Sequence, residues 1–182
     1  GHGGDDGGAR GRVMKLWEKS LNLDVAIRTR DLLKEMGCEV LMTREGDRHL
    51  DTNKRRDLDA RLAIAREGGA DLLVSIHMNE YRSSAESGPQ VFYRKGQDES
   101  RLFAGAMQEA LIEGLSPRKK RVALSGDYYM LSLEIPSILV ECGFLSNREE
   151  EAALSDGAYR QMVAAAVARG VAQYAALRQT VQ

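Results

Sequence analysis

Four ionisable side chains stand where this sequence could do chemistry. His2 lies in the glycine-rich run GHGGDDGG, and Glu18 stands just ahead of a helical pattern. His77 closes an apolar run, DLLVSIHMN at residues 71–79, and Glu141 sits near the end of another, SILVEC at 137–142. Two imidazoles and one carboxylate suit catalytic zinc, which takes three protein ligands and keeps a fourth position open. Such a metal lowers the pKa of its water to about 7 and so supplies a nucleophile at neutral pH. A further carboxylate close by can take that proton and deliver it to a leaving amine. Glu141 is placed for this, since a charge inside an apolar run is costly to bury without a partner or a purpose. The spacing itself is loose, and no HExxH helix is present. A lone histidine at a strand end is also an ordinary core residue with a satisfied hydrogen bond, so residue chemistry alone leaves both readings open.

Positioning these groups requires particular elements. Residues 72–76 are mostly apolar and uncharged, which suits a strand buried on both faces of a parallel sheet. Ligands of open α/β sheets bind at the carboxyl ends of such strands, where His77 falls. Residues 1–12 cannot form a regular element; they read as a flexible tail or as a loop turning tightly around a bound group. The run lacks the strand, spacing and lysine of a phosphate-binding loop. Residues 20–36 pattern as an amphipathic helix stopped by Gly37, with Leu23, Ala26, Ile27, Leu33 and Met36 close to one face. Strands are expected at 38–43, 90–93, 128–131 and 137–142, with 90–93 near an edge because Pro89 leads into it. Further helices are expected at 58–67, 98–114 and 155–177. A short one opens on a capping box of Ser146 and Glu149. Leu102 and Met162 are expected on buried faces, and Gly170 inside the last helix suggests close packing against a neighbour. The alternation of strands and helices indicates an α/β layer fold.

Composition narrows the class. The 182 residues suit one domain with a substantial core, and 43% hydrophobic with 29% charged residues is ordinary for a globular protein. A formal net charge of -1 excludes a strong general attraction to nucleic acid or anionic membrane. No apolar run approaches the roughly 20 residues of a membrane span, and no signal segment is in this chain. Cys38 and Cys142 are expected as two buried free thiols. His49, in the polar stretch 44–57, reads as solvated. The basic run Arg118, Lys119, Lys120 and Arg121 reads as a solvated loop, with binding of substrate carboxylates as the alternative.

Five segments in order carry a resemblance: GHGGDDGGA at 1–9, the Glu18–Lys19 pair, LMTR at 41–44, SIHMN at 75–79 and PSILVECGFLSN at 136–147. Together they resemble the zinc-dependent N-acetylmuramoyl-L-alanine amidases with an amidase-3 type catalytic domain, over nearly the whole chain. The resemblance implies that His2, Glu18 and His77 bind zinc and that Glu141 is the catalytic carboxylate. It implies hydrolysis of the amide between the lactyl group of N-acetylmuramic acid and the L-alanine of the stem peptide. The substrate would be peptidoglycan glycan strands, reached outside the cytoplasm in the cell wall, periplasm or spore cortex. The implied fold is a single three-layer α/β domain over residues 1–182, with a twisted, mostly parallel sheet of about six strands and helices on both sides. Members of that family precede GHGG with a buried strand ending in Asp-Pro, which is not in this sequence.

The span between Tyr93 and Tyr128 leaves no room for the long regulatory insertion of some cell-division amidases. The stretches 52–65 (TNKRRDLDARLAIA) and 87–104 (SGPQVFYRKGQDESRLFA) look more like the germination-type amidases of spore formers. Those act on cortex peptidoglycan on the way to muramic δ-lactam. Any activating protein partner is left open. Two other functions stand beside this one: a module that binds wall glycopeptide without cutting it, and a different zinc hydrolase such as a stem-peptide carboxypeptidase.

Overall fold

Side-chain alternation along the strands gives the sheet two unlike faces. The computed structural model describes residues 1–181 and places the elements in the order α1 (Glu18–Glu35), α2 (Lys54–Glu67), β1 (Leu73–Asn79), β2 (Gln90–Tyr93), α3 (Asp98–Leu115), β3 (Leu124–Ser125), a 3-10 helix (Tyr129–Leu131), β4 (Ser137–Phe144), α4 (Arg148–Ser155) and α5 (Gly157–Val181). The strands lie in the order β1-β4-β2-β3. The pairs β1–β4 and β2–β3 are parallel, and β2–β4 is antiparallel. Register puts Val74 and Ile76 beside Ile138 and Val140, which in turn face Tyr93 and Val91. This face packs into the main core with Leu21 and Val25 of α1, Phe103, Met107 and Leu111 of α3, and Val163 and Val167 of α5. The other face carries Leu73, Ser75, His77, Leu139 and Glu141 in paired positions. A smaller cluster covers part of it, formed by Leu73 with Leu62 and Ala65 of α2 and with Met130 and Leu133.

The α/β class and the layered arrangement hold, but the described residues contain four strands in a mixed sheet rather than about six mostly parallel ones. Residues 38–43 run without a ladder partner, and Leu41 is exposed. A cavity of about 260 Å³ separates Leu41, Met42 and Thr43 from the edge of β1 at Leu73, Val74 and Ile76. An extended segment becomes a strand only where a neighbouring backbone accepts its hydrogen bonds. Cys38 on this segment is exposed, whereas Cys142 in β4 is buried as expected.

The expected strand at 128–131 is instead an extended Tyr128 followed by the 3-10 helix Tyr129–Leu131. Met130 and Leu131 are both buried, and two adjacent residues cannot turn to the same face of a pleated strand. β2 lies near an edge as expected, between β4 and the two-residue terminal strand β3, which pairs only with Phe92 and Tyr93. The strand β1 runs two residues past His77, with a register shift between His77 and Asn79.

Helix starts differ for local reasons. α2 begins at Lys54 because the Asn53 side chain accepts hydrogen bonds from the amides of Arg55 and Arg56. α4 is capped in the same way by Asn147, while Ser146 instead accepts from the Tyr81 amide. Leu102 and Met162 are exposed, so the buried faces of α3 and α5 are narrower than the sequence pattern suggests. In α1 the face differs: Leu21, Asn22, Val25 and Thr29 are buried, the expected Leu23, Ala26, Ile27 and Leu33 only partly so, and Met36 is exposed past the helix end.

Gly170 of α5 is buried against α3: a Cβ there would fall 2.9 Å from the Met107 Cα and 2.7 Å from its sulfur. Helix propensity alone favours alanine at an interior glycine by about 1 kcal/mol. Overpacking costs about 1–3 kcal/mol and here opposes it against backbone that cannot swing away. Gly170→Ala should therefore unfold at a lower urea midpoint than wild type; a higher midpoint would show that α3 and α5 have room to separate.

Candidate metal centre

Three segments bring the site together. Residues 1–8 form a tight loop in which Gly3 and Asp6 exchange backbone hydrogen bonds of 2.9 and 3.2 Å. His2 itself has φ 59, in the left-handed region, which presents its ring inward. Glu18 opens α1, where the helix N-terminus favours a negative charge. Its amide donates to Ala9 O at 2.9 Å and its Oε2 accepts from Ala9 N at 2.7 Å, so helix and loop hold one another. His77 comes from β1, on the sheet face turned away from the main core.

His2, Glu18 and His77 each offer one ligand atom, and these atoms lie within 4.8 Å of one another. Glu18 Oε1 is 3.2 Å from His2 Nε2 and 2.9 Å from His77 Nδ1. The two imidazoles stand edge to face, with ring centroids 5.1 Å apart. His2 Nδ1 is buried without an aligned hydrogen-bond partner, although Asp6 Oδ2 lies 2.9 Å away. His77 Nε2 is 3.1 Å from Ser75 Oγ, which leaves Nδ1 turned towards Glu18. Glu18 Oε1 also accepts from Asn22 Nδ2 at 3.0 Å and from Met78 N at 3.2 Å. Three mixed nitrogen and oxygen donors at this spacing fit a single divalent ion of the zinc type.

Electrostatics differ sharply among the members. Burial alone would raise the Glu18 carboxyl, yet the hydrogen bonds from His2 and His77 outweigh it and hold the group well below the usual carboxylate range. Burial pulls His77 down to about 4, so its ring is neutral at pH 7 and able to bind a cation. Burial also pulls on His2, but Glu18 and Asp6 prevail and raise it. Glu141 stands beside His77 across the β1–β4 pairing. Its Oε2 is shut off from solvent with no hydrogen-bond partner. Burial, followed by the Glu18 charge, pushes its carboxyl up to about 8. Tyr128 rises above the ordinary phenol range through burial and the charge of Glu141, and it lines the same cavity as His2 and His77.

Asp6, Asn22 and Ser75 escaped the sequence reading as neighbours of the site. Their signals were positional: Asp6 is four residues after His2, Asn22 one helical turn after Glu18, and Ser75 two residues before His77 on the same strand face. His49 is not simply solvated, because it packs over Gly4, where a Cβ would meet its Nδ1 at 2.3 Å. It takes no part in the three-residue cluster. The basic run is largely spent on acidic partners. Arg118 pairs with Glu149 at 3.1 Å, Lys119 with Glu86 at 2.7 Å, and Arg121 with Glu86 as well.

An α/β domain carries a His–Glu–His cluster that could hold a metal ion, beside a carboxylate with one unpartnered oxygen, and sequence comparison narrows the class. The profile of the N-acetylmuramoyl-L-alanine amidase family, amidase-3 type, matches residues 1–173, and the chain belongs to that family. The germination-specific N-acetylmuramoyl-L-alanine amidase of Bacillus subtilis is 38% identical over 183 residues, covering 96% of this chain and 76% of that protein. The CwlD amidase from Clostridioides difficile, solved in complex with the GerS lipoprotein, superposes with a TM-score of 0.89 at 33% identity, covering 97% of this chain and 95% of that one. The catalytic domain of CwlV from Bacillus (Paenibacillus) polymyxa gives 0.86 at 33% identity, over 96% of this chain and 93% of that one.

Gly8 tests how tightly the loop is built around these ligands. It has φ +67, and a Cβ would fall 2.4 Å from Glu18 Oε2 and 2.7 Å from His2 Cδ2. Gly8→Ala should keep cooperative unfolding yet bind a divalent metal about 10–100-fold more weakly, the range for losing groups that orient ligands. Competition against a chromophoric chelator measures this, and wild-type affinity would mean that the loop yields without cost.

Proposed function

We propose that this chain is a zinc-dependent N-acetylmuramoyl-L-alanine amidase that cleaves the lactyl–L-alanine amide of peptidoglycan, with spore cortex as its natural substrate. His2, Glu18 and His77 would hold the zinc. A zinc ion there supplies Lewis-acid polarisation and lowers the pKa of water. The observation that carries the reading is the half-buried Glu141, whose Oε2 is shut off from solvent without a hydrogen-bond partner, set beside His77. Burial and the Glu18 charge push this carboxyl up to about 8, and a cation held by the cluster would draw it back towards the ionised form that accepts a proton. In this reading it receives the proton of the attacking water and passes it to the departing L-alanine amine. His77, neutral at pH 7, and Glu18, ionised, are already in the forms a metal requires. The Ser75 hydroxyl and the Asn22 amide fix the orientation of these two side chains.

The cortex assignment draws support from the Bacillus subtilis relative, whose name is germination-specific. It places the chain's action outside the cytoplasm. Among the described residues no helix is long and apolar enough to cross a membrane. The Clostridioides difficile relative was solved with a lipoprotein, which supports a lipoprotein partner for this chain too.

Two substitutions separate the roles. Glu141→Gln keeps the shape but cannot take the proton, so zinc content should stay near one per chain while kcat falls by about 10²–10⁴-fold. Glu18→Gln removes a charged ligand and should lose zinc as well as rate. Zinc stoichiometry is read beside the new L-alanine amino termini released from purified cortex. Loss of zinc from a folded Glu141→Gln variant would make Glu141 a ligand. Release of free D-alanine instead of new L-alanine termini would make the enzyme a carboxypeptidase.

A further inference from the structure

Arg44 is buried to 4% exposure, and among the described residues no carboxylate lies within ion-pair distance of its guanidinium. Its donors go to backbone carbonyls instead. Nη1 reaches Gly46 O at 3.0 Å, and Nη2 reaches Gly1 O at 3.1 Å and Lys19 O at 2.6 Å. Gly1 precedes His2 and Lys19 follows Glu18, so one guanidinium bridges the two segments that carry these ligands. Gly3 makes room for it: a Cβ there would fall 2.9 Å from Arg44 Cδ. A second buried guanidinium, Arg61, is paired with Asp57 at 2.7 Å and donates to His2 O at 3.0 Å. The carbonyls of Gly1 and His2 are thus both held by cations, while His2 keeps a backbone conformation that L residues resist.

A buried cation whose nearest counter-charges, Asp47 and Asp57, stand beyond ion-pair distance and beside a second guanidinium, Arg61, is costly, and a divalent ion close by would add repulsion. Packing alone does not explain its presence, since an apolar side chain would fill the same space. Its fork of donors does. A planar guanidinium holds several acceptors in fixed directions, which an ammonium does not. We propose that Arg44 is a positioning residue that sets the separation of His2 from Glu18 and thereby preorganises this pair of metal ligands. The inference rests on the metal reading above and adds a requirement to it: the geometry of the site depends on a residue that touches neither metal nor substrate.

The test measures zinc affinity by chelator competition on the full chain for wild type, Arg44→Lys and Arg44→Met. Val163→Ala, a core truncation in α5 remote from the site, serves as the stability control. Urea unfolding of each metal-free protein runs in parallel. Both Arg44 variants should bind zinc about 10–100-fold more weakly, the lysine variant included although it keeps the charge. Their kcat at saturating zinc should also fall, while Val163→Ala loses stability with its zinc affinity unchanged. Wild-type affinity in Arg44→Lys and Arg44→Met, or an equal loss in Val163→Ala, would overturn the inference and leave the metal reading standing. Failure of both Arg44 variants to fold would assign the residue to stability alone and overturn it too. A wild-type chain that binds no zinc would overturn the metal reading and this inference together.

Discussion

The carboxylate of Glu18, 4% exposed, is the group on which the rest of the site is built. An ionised carboxylate away from water loses several kcal/mol of solvation unless donors surround it. Here four donors come from three places: the Ala9 amide in the glycine loop, Asn22 one turn along α1, and His77 with the Met78 amide in β1. His2 adds a contact from the far side of that loop. Satisfying one charge therefore fixes the start of α1 against both the loop and β1. The apolar face of α1, with Leu21 and Val25 in the main core, holds the same helix from the other side.

The same device recurs around the rim. Glu151, fully buried, accepts from the amides of Val13 and Met14 at 2.8 Å each and pins the turn ahead of α1. Gly11 is required there, since a Cβ would sit 1.9 Å from the Glu151 oxygen. Glu150 accepts from Gly88 N and Phe144 N at 2.7 and 2.8 Å, tying the loop before β2 to the end of β4. Both belong to the first turn of α4, where the helix dipole favours negative charge. Loops poor in apolar side chains have little hydrophobic burial to fix them. Buried carboxylates gripping backbone amides supply that fixation, and the site inherits its shape from them.

Which features were legible follows from which were local. The apolar runs of β1 and β4 and the helices α3 and α5 show in the sequence because burial on one or two faces leaves a period. His2, Glu18 and His77 show as candidates because their residue types stand out beside those runs, and their segments match a family in order. The 38–43 segment misled because strand pattern records burial and stiffness, while strand formation needs a partner backbone that the pattern does not report. Tyr128 to Leu131 misled for the opposite reason: a brief apolar stretch fits a 3-10 turn as well as a strand. Arg44, Arg61 and Glu151 were unreadable as organisers, since the contacts by which they tie segments together are to main-chain atoms of residues distant in sequence. A carbonyl or an amide has no residue type to recognise.

Glu18 and Glu141 make the division of labour a matter of donors. Both carboxyls are buried beside His77, and burial pushes each upward. Glu18 is surrounded by imidazole, amide and backbone donors, and its negative form prevails. Glu141 Oε2 has no donor and feels the Glu18 charge, so its carboxyl rises to about 8. Two like residues pushed apart in this way are fitted to different tasks, one held ionised and one kept closer to its neutral form. The first property suits a ligand and the second a proton carrier. The order of these roles follows from the register of β1 on β4, which sets Glu141 against His77 and keeps it off the helix that supplies Asn22. A shift of that register by one residue would turn Glu141 into the main core and away from the cluster.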